Sequence, residues 1–103
     1  MAPRLSGRVA IVTGASSGIG RAIALAYAAE GASVMCSDLQ PNSREEKIKA
    51  THELILEQGG KASFLKTDVT DEAQVEAVVS VTVKRFGRLD MQAFKIWTEI
   101  NTS

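Results

Sequence analysis

The residues best suited to chemistry in this chain form a glycine-rich segment at 13–20, Thr-Gly-Ala-Ser-Ser-Gly-Ile-Gly. It comes directly after an apolar run at 9–12 and directly before an alanine-rich stretch at 21–30, an order that predicts strand, turn and helix. A helix that begins at such a turn points the free N–H groups of its first turn at one place, where a pyrophosphate can bind. The segment therefore predicts an anion site whose ligands are backbone amides.

The three glycines of this segment have separate expected roles. Gly14 allows a sharp turn off the strand, Gly18 leaves room for the phosphate oxygens, and Gly20 lets the helix pack closely on the sheet. Glycine-rich turns also close ordinary loops, so the spacing alone leaves that alternative open. The context of the segment is what favours a nucleotide site.

Three other residues of the segment complete the expected contacts. Ser16 and Ser17 add hydroxyl donors to the same anion pocket, and Ile19 lies between the last two glycines. Because Ile19 stands there and no Gly-Lys-Ser/Thr follows, the segment is not a Walker loop. An enzyme that cleaves phosphates is therefore not expected.

A second apolar run, at 33–37, ends in Asp38, eighteen positions after Gly20. A carboxylate at this point can accept hydrogen bonds from the ribose hydroxyls of adenosine. It would repel a 2′-phosphate by up to about 4 kcal/mol per unit charge at a separation of about 4 Å. We therefore expect NAD as the cofactor in preference to NADP. The alternative is an aspartate that only ends a strand in contact with solvent.

With these features in place, the chain resembles the short-chain dehydrogenase/reductase family over residues 7–90. Four motifs in register carry the resemblance: residues 13–20, Ser-Asp-Leu at 37–39, Thr-Asp-Val-Thr at 67–70, and Phe-Gly-Arg-Leu-Asp at 86–90. The resemblance implies a dinucleotide cofactor, NAD or NADP, and a small alcohol or ketone as the substrate of full-length relatives. It also implies that those relatives form oligomers.

The resemblance adds three residues to the expected cofactor contacts. Asp68 and Val69 look like the pair that contacts the adenine ring, Asp68 through the amino group of the base. Leu39 belongs to the strand-end motif beside Asp38. For Asp68 the alternative is a helix cap, because a carboxylate before a helix often accepts from its first N–H groups.

The pattern predicts an α/β fold, namely half of a doubly wound parallel sheet of Rossmann type with flanking helices. Right-handed crossovers place its three strands in the order 3-2-1. Residues 1–90 are expected to form a dinucleotide-binding half-domain, followed by a helical or frayed tail at 91–103. Ser43 with Glu46 predicts a capping box for the second helix, and Thr70 a cap for the third.

The buried faces of two helices follow from helical spacing. On the first helix the expected inward positions are Ile19, Ile23, Ala26 and Tyr27, and on the third they are Val75, Val78, Val79, Val83 and Phe86. No lysine lies four positions after Tyr27, so a catalytic role for this tyrosine is not expected. His52 is the only histidine, and its sequence surroundings offer no second metal ligand.

After residue 90 the chain departs from the family pattern, which continues into an apolar fourth strand ending in Asn-Asn-Ala-Gly. Here the apolar positions Ala93, Ile96, Trp97 and Ile100 follow a helical period, so we expect the fourth strand to be absent. Asn101 matches the active-site asparagine of the family's later helix or matches it by chance. The catalytic serine and the Tyr-x-x-x-Lys pair of the family have no counterpart in these 103 residues.

Composition restricts the possible partners and location. Twelve basic and twelve acidic residues leave no net charge, so we expect neither nucleic acid nor a membrane surface as a partner. Cys36 lies in an apolar run and is expected to be buried and reduced. The first residues carry no signal peptide and the chain has no membrane span, which together with the thiol predicts a cytoplasmic protein.

Three functional interpretations remain open from the sequence. The first is the NAD-binding portion of a short-chain oxidoreductase, itself without turnover because the acid-base pair is missing. The second is a non-catalytic nucleotide-binding or interaction module. The third is an unstable truncated product, since loss of a fourth strand would leave the first strand as a bare sheet edge.

Overall fold

The structure, a computed structural model, describes residues 4–16, 18–40 and 49–93. Its elements in chain order are β1 (Val9–Thr13), α1 (Gly18–Ala29), β2 (Ser33–Asp38), α2 (Thr51–Glu57), β3 (Lys61–Lys66), α3 (Glu72–Phe86) and β4 (Met91–Ala93). The strands form one parallel sheet in the order β3-β2-β1-β4. The predicted α/β class and the strand order 3-2-1 are confirmed.

The core has two layers, one on each face of the sheet. Alternate strand residues point to opposite faces, so neighbours on a strand enter different layers. Helices α1 and α2 cover the layer that contains Val12, Val34, Cys36, Ala24 and Ile55. Helix α3 covers the other layer, which contains Ile11, Met35 and Val78. Burial on both faces explains why the first two strands read as continuous apolar runs.

The fourth strand, which we expected to be absent, is present. It pairs with β1 in parallel from Ala10↔Met91 to Val12↔Ala93. The ladder uses backbone N–H and C=O groups, so a helical spacing of apolar side chains does not prevent three residues from pairing. The expectation of a helical tail is therefore wrong for 91–93, and β1 is not a sheet edge. Residues 94–103, including Asn101, lie outside the described residues.

Asp90 holds the start of this added strand. Its backbone N–H donates to the Val9 carbonyl at 2.9 Å, and its carboxylate accepts the Val9 N–H at 2.9 Å. Arg88 and Arg8 donate to the same carboxylate at 2.7 and 3.3 Å. These bonds lower the pKa of Asp90 to about 2, with the Arg88 hydrogen bond as the largest cause. Asp90 thus joins β4 to its neighbour β1.

The cap of α3 differs from the prediction. The carboxylate of Asp71 accepts the Ala73 N–H at 3.0 Å, so Asp71 is the N-cap. Thr70 does not fill that role, and its N–H and hydroxyl both donate to the Asp68 carboxylate instead. Asp68 is not the cap of α3 either. The predicted capping box at 43–46 lies outside the described residues.

Three inward positions predicted for the helices are wrong. Ile19 is 65% exposed and Val83 is 42% exposed, and Ala26 is exposed as well. The buried residues of these two helices are Ala24, Val78 and Thr82, so the predicted position Val78 is confirmed, whereas Ala24 and Thr82 were not predicted. Thr82 tolerates burial because its hydroxyl donates at 2.6 Å to the carbonyl four residues earlier.

Candidate functional site

The glycine turn joins β1 to α1 through backbone conformations that favour glycine. Gly14 has φ 66° and Gly18 has φ 57°, both in the left-handed region. A Cβ on Gly20 would lie 2.1 Å from the carbonyl oxygen of Gly14 and 3.1 Å from that of Thr13. Gly20 therefore lets the first turn of α1 lie directly against the end of β1, as the sequence predicted.

The N-terminus of α1 has open space beside Gly18. Its first turn carries no acidic residue, and a Cβ placed on Gly18 would meet no atom within 4 Å. The first N–H groups of a helix have no partner within the helix and lie at the positive end of its dipole. Ile19 is exposed beside them. Ser17 lies outside the described residues.

Asp38 ends β2 next to this turn and is bonded to it. Its Oδ2 atom accepts the Ser16 N–H at 3.0 Å and the Ser16 hydroxyl at 2.5 Å. Its Oδ1 atom accepts the Leu39 N–H at 2.8 Å. The hydroxyl of Ser16 is thus directed at the carboxylate in this structure. The two features that the sequence separated by eighteen positions form one cluster.

Sequence reasoning missed a buried threonine behind the turn. The hydroxyl of Thr51, at the start of α2, donates to the carbonyl oxygen of Ala15 at 2.5 Å. Arg21 donates to the Thr51 hydroxyl oxygen at 3.0 Å and to the carbonyl of Lys49 at 2.9 Å. The N–H of Ala15 donates to Ser37 on β2 at 3.3 Å. Because the hydrogen bond between Thr51 and Ala15 joins residues 36 positions apart, no local pattern in the sequence indicates it.

Asp68 and Val69 follow β3 at the same edge of the sheet. The N–H of Thr67 donates to the Asp38 carbonyl at 2.9 Å, which brings the two strand ends together. The Asp68 carboxylate accepts the Thr70 hydroxyl at 2.6 Å and its N–H at 2.9 Å, and these bonds lower the pKa of Asp68. Within the described part of the chain, no hydrogen bond joins Asp68 or Val69 to the glycine turn.

Leu39, the next residue after Asp38, is 59% exposed at this edge. Ile19, in the first turn of α1, is an exposed large apolar residue as well. Exposed large apolar side chains that flank polar groups are common where a ligand binds. The structure thus places every described residue of the predicted site along the carboxyl ends of the first three strands.

Other titratable groups near the site do not suggest a metal or a nucleophile. Burial raises the pKa of the Cys36 thiol to about 12, against a smaller lowering by the Arg21 charge. His52 stacks on Phe64 with ring centres 5.6 Å apart. Among residues 4–16, 18–40 and 49–93, no three His, Cys, Asp or Glu side chains gather as metal ligands would. No helix in the same ranges has the length and apolar character of a membrane span.

Comparison with known proteins gives consistent matches. A family model described as short chain dehydrogenase matches residues 8–92. Levodione reductase from Leifsonia aquatica is 45% identical over 89 residues, which cover 84% of this chain and 32% of that protein. A 3-oxoacyl-[acyl-carrier-protein] reductase from Thermotoga maritima is 38% identical over 88 residues, 85% of this chain and 34% of the relative.

The solved structures agree with these matches. The crystal structure of a hydroxysteroid dehydrogenase from Escherichia coli superimposes with a TM-score of 0.79 at 32% identity, covering 90% of this chain and 38% of that one. A putative short-chain dehydrogenase/reductase from Burkholderia xenovorans gives a TM-score of 0.77 at 43% identity, covering 88% and 36%. The chain spans about a third of the length of the relatives it matches. Its sequence, its sheet and these matches show that the chain belongs to the short-chain dehydrogenase family.

Proposed function

We propose that this chain binds the adenosine and pyrophosphate half of a nicotinamide dinucleotide, with NAD preferred to NADP. The observation that carries the proposal is the Asp38 carboxylate, which is attached to the glycine turn by two hydrogen bonds from Ser16. A family whose members use a nicotinamide dinucleotide supplies the ligand class. The hydrogen bonds between Ser16 and Asp38 support the orientation that we propose for it.

The pyrophosphate would lie at the N-terminus of α1. Gly18 leaves open space there, and the first turn contributes no negative charge of its own. Free N–H groups and the helix dipole both favour an anion at such a position. In this proposal Gly14 and Gly20 shape the turn, and Ser16 and Ser17 border it.

The ribose would lie against Asp38. Among the described residues, two hydrogen bonds go to Oδ2 and one, from Leu39, goes to Oδ1, and a carboxylate oxygen can accept two. In our proposal a ribose hydroxyl donates to the second acceptor position of Oδ1. A 2′-phosphate at that position would meet the carboxylate charge, with a repulsion of up to about 4 kcal/mol per unit charge. This difference favours NAD.

The adenine ring would pack between apolar side chains at the same edge. Leu39 is exposed there, and Val69 follows the end of β3. The lowered pKa of Asp68 keeps its carboxylate ionised and able to accept from the amino group of the base. Ile19 would cover the ligand from the side of α1.

For the catalytic role we propose oxidation of an alcohol or reduction of a ketone by a longer protein that includes this portion. The 103 residues carry no Tyr-x-x-x-Lys pair. Proton transfer by a positioned acid or base commonly contributes about 10² to 10⁴ in rate. We therefore propose no measurable turnover by these residues alone. The buried reduced thiol of Cys36 supports the cytoplasm as the location.

The test is calorimetric titration of the wild-type chain and of Asp38→Asn with NAD and with NADP. The wild type should bind NAD more tightly, and Asp38→Asn should lose at least about tenfold of that preference because the repelling charge is gone. Thr82→Val on α3 serves as a control with an unchanged preference, since its hydroxyl bonds only within the helix. An equal preference in wild type and Asp38→Asn would contradict the assignment.

A further inference from the structure

A single peptide group connects Asp38 to a side chain on the far side of the glycine turn. The carbonyl of Ala15 accepts from the Thr51 hydroxyl at 2.5 Å, and the N–H of Ser16, in the same peptide plane, donates to Asp38 at 3.0 Å. The C=O and N–H of a trans peptide point in opposite directions. Thr51 and Asp38 therefore hold this peptide from its two sides.

The hydroxyl of Thr51 is itself held in one orientation. Arg21 donates to its oxygen at 3.0 Å, so the hydroxyl proton is directed to the carbonyl of Ala15. Arg21 is fixed in turn by the carbonyl of Lys49 at 2.9 Å. Thr51 is 1% exposed and Ala15 is 1% exposed, so water has little access to replace the bond.

The peptide needs such a restraint because it lies in the turn between β1 and α1, outside any helix or strand. Rotation of this peptide, through ψ of Ala15 and φ of Ser16, would turn the Ala15 carbonyl oxygen towards the Asp38 carboxylate. The carboxylate would then lose one of its donors and move. Hydrogen bonds in series through one peptide also polarise and strengthen each other.

We propose that Thr51 is a positioning residue for cofactor discrimination. By fixing the Ala15–Ser16 peptide it sets the place of the Asp38 carboxylate, and so contributes to the preference for NAD over NADP. The inference rests on the proposed function, since it assigns a further determinant to the same site. It also explains why a buried hydroxyl lies at the start of α2, where its bond leaves its own helix.

The experiment compares Thr51→Val, which removes the hydroxyl at similar size, with Thr51→Ser, which keeps it. Thr51→Val should bind NAD roughly threefold to tenfold more weakly, the value of one lost hydrogen bond, with a smaller change for NADP. The ratio of the two affinities should therefore fall. Thr51→Ser should retain the wild-type ratio. Thr82→Val removes another buried hydroxyl bonded to a carbonyl and should leave the ratio unchanged.

A second measurement reads the restraint without any nucleotide. Amide hydrogen exchange at Ser16 should be faster in Thr51→Val than in the wild type and in Thr51→Ser, because the peptide is held from one side only. The amide of Ala73, which donates to Asp71 on α3, is the internal reference. A purely structural loss would accelerate both amides equally.

The possible results distinguish a failure of the proposed function from a failure of the inference about Thr51. If the wild-type chain binds neither nucleotide, the proposed function and this inference are both overturned. If the wild type prefers NAD and Thr51→Val shows the same ratio and the same Ser16 exchange, only the inference is overturned. Should Thr51→Val lack a cooperative melt, Arg21→Met removes the donor to Thr51, and an unchanged ratio in that variant overturns the inference.

Discussion

Helices α1 and α3 begin in opposite ways. The α3 helix is capped by Asp71, which accepts from Ala73, and Glu72 adds a second negative charge in its first turn. The α1 helix begins at Gly18 with no acidic residue in its first turn. Acidic residues at the start of α3 therefore lie at the positive end of that helix. In our proposal a bound ligand supplies the negative charge at the positive end of α1. The acid near α1, Asp38, lies on a neighbouring strand instead.

The acids of this sheet have two kinds of role, structural and functional. Asp71 and Asp90 accept backbone N–H groups that would otherwise lack partners, so they stabilise the fold. Asp38 also accepts backbone N–H groups, from Ser16 and Leu39, but it lies at the end of β2 and bonds to the turn that precedes α1. In our proposal a carboxylate in that place, rather than one that caps its own helix, is the one that suits a ligand.

The largest expected effect comes from adding a methyl group at Gly20, where the first turn of α1 lies against the end of β1. Gly20→Ala should lower the free energy of unfolding by about 3 kcal/mol or more, since its Cβ would lie 2.1 Å from the Gly14 carbonyl oxygen. Gly18→Ala meets no atom within 4 Å and should cost about 1 kcal/mol, from its left-handed φ alone. Urea unfolding of both variants measures the two values, and equal losses would contradict the close contact.

Adding an acid to each helix start tests the comparison directly. Ile19→Glu should weaken NAD binding roughly threefold to tenfold, because a carboxylate at the second position of α1 competes with the pyrophosphate. Ala73→Glu, at the second position of α3, should leave NAD affinity unchanged. Ile19→Gln separates the added charge from the lost apolar contact. Calorimetry that finds Ile19→Glu and Ala73→Glu equal would remove the distinction between the helices.

Removing the α3 cap should lower the stability of the chain without changing its affinity for NAD. Asp71→Ala should lower the free energy of unfolding by about 1 kcal/mol, the usual value of an N-cap. Its NAD affinity should match that of the wild type, because the cap serves only its own helix. Thermal or urea unfolding gives the first value and calorimetry the second. A loss of affinity without loss of stability would show that α3 takes part in binding.

The smallest expected effect is acid destabilisation through Asp90. Its pKa is lowered from 3.8 to about 2 in the folded chain, chiefly by Arg88, so the folded state favours the ionised form. The resulting stability is complete above about pH 4 and is lost as the pH falls towards about 2. Asp90→Asn should be less stable at neutral pH and should show a shallower fall across that window. Parallel slopes in both proteins would contradict this role.

Much of the site was predictable because it depends on local rules. Glycines at fixed spacing after an apolar run indicate a turn, and Asp38 at the end of the next run lies beside it in any parallel sheet with adjacent strands. β4 was missed because backbone pairing does not follow side-chain period. Thr51 was missed because its partner Ala15 lies 36 positions away. Asp71 was missed in favour of Thr70 because both residue types cap helices.

The most direct test of the central claim is a titration of the ¹⁵N-labelled chain with NAD, followed through its backbone amide resonances. We expect saturable shifts at Ser16, Gly18, Ile19 and Gly20, with none at the α3 start, Glu72 and Ala73. Shifts of equal size at both helix starts, or no shift at the glycine turn, would contradict it.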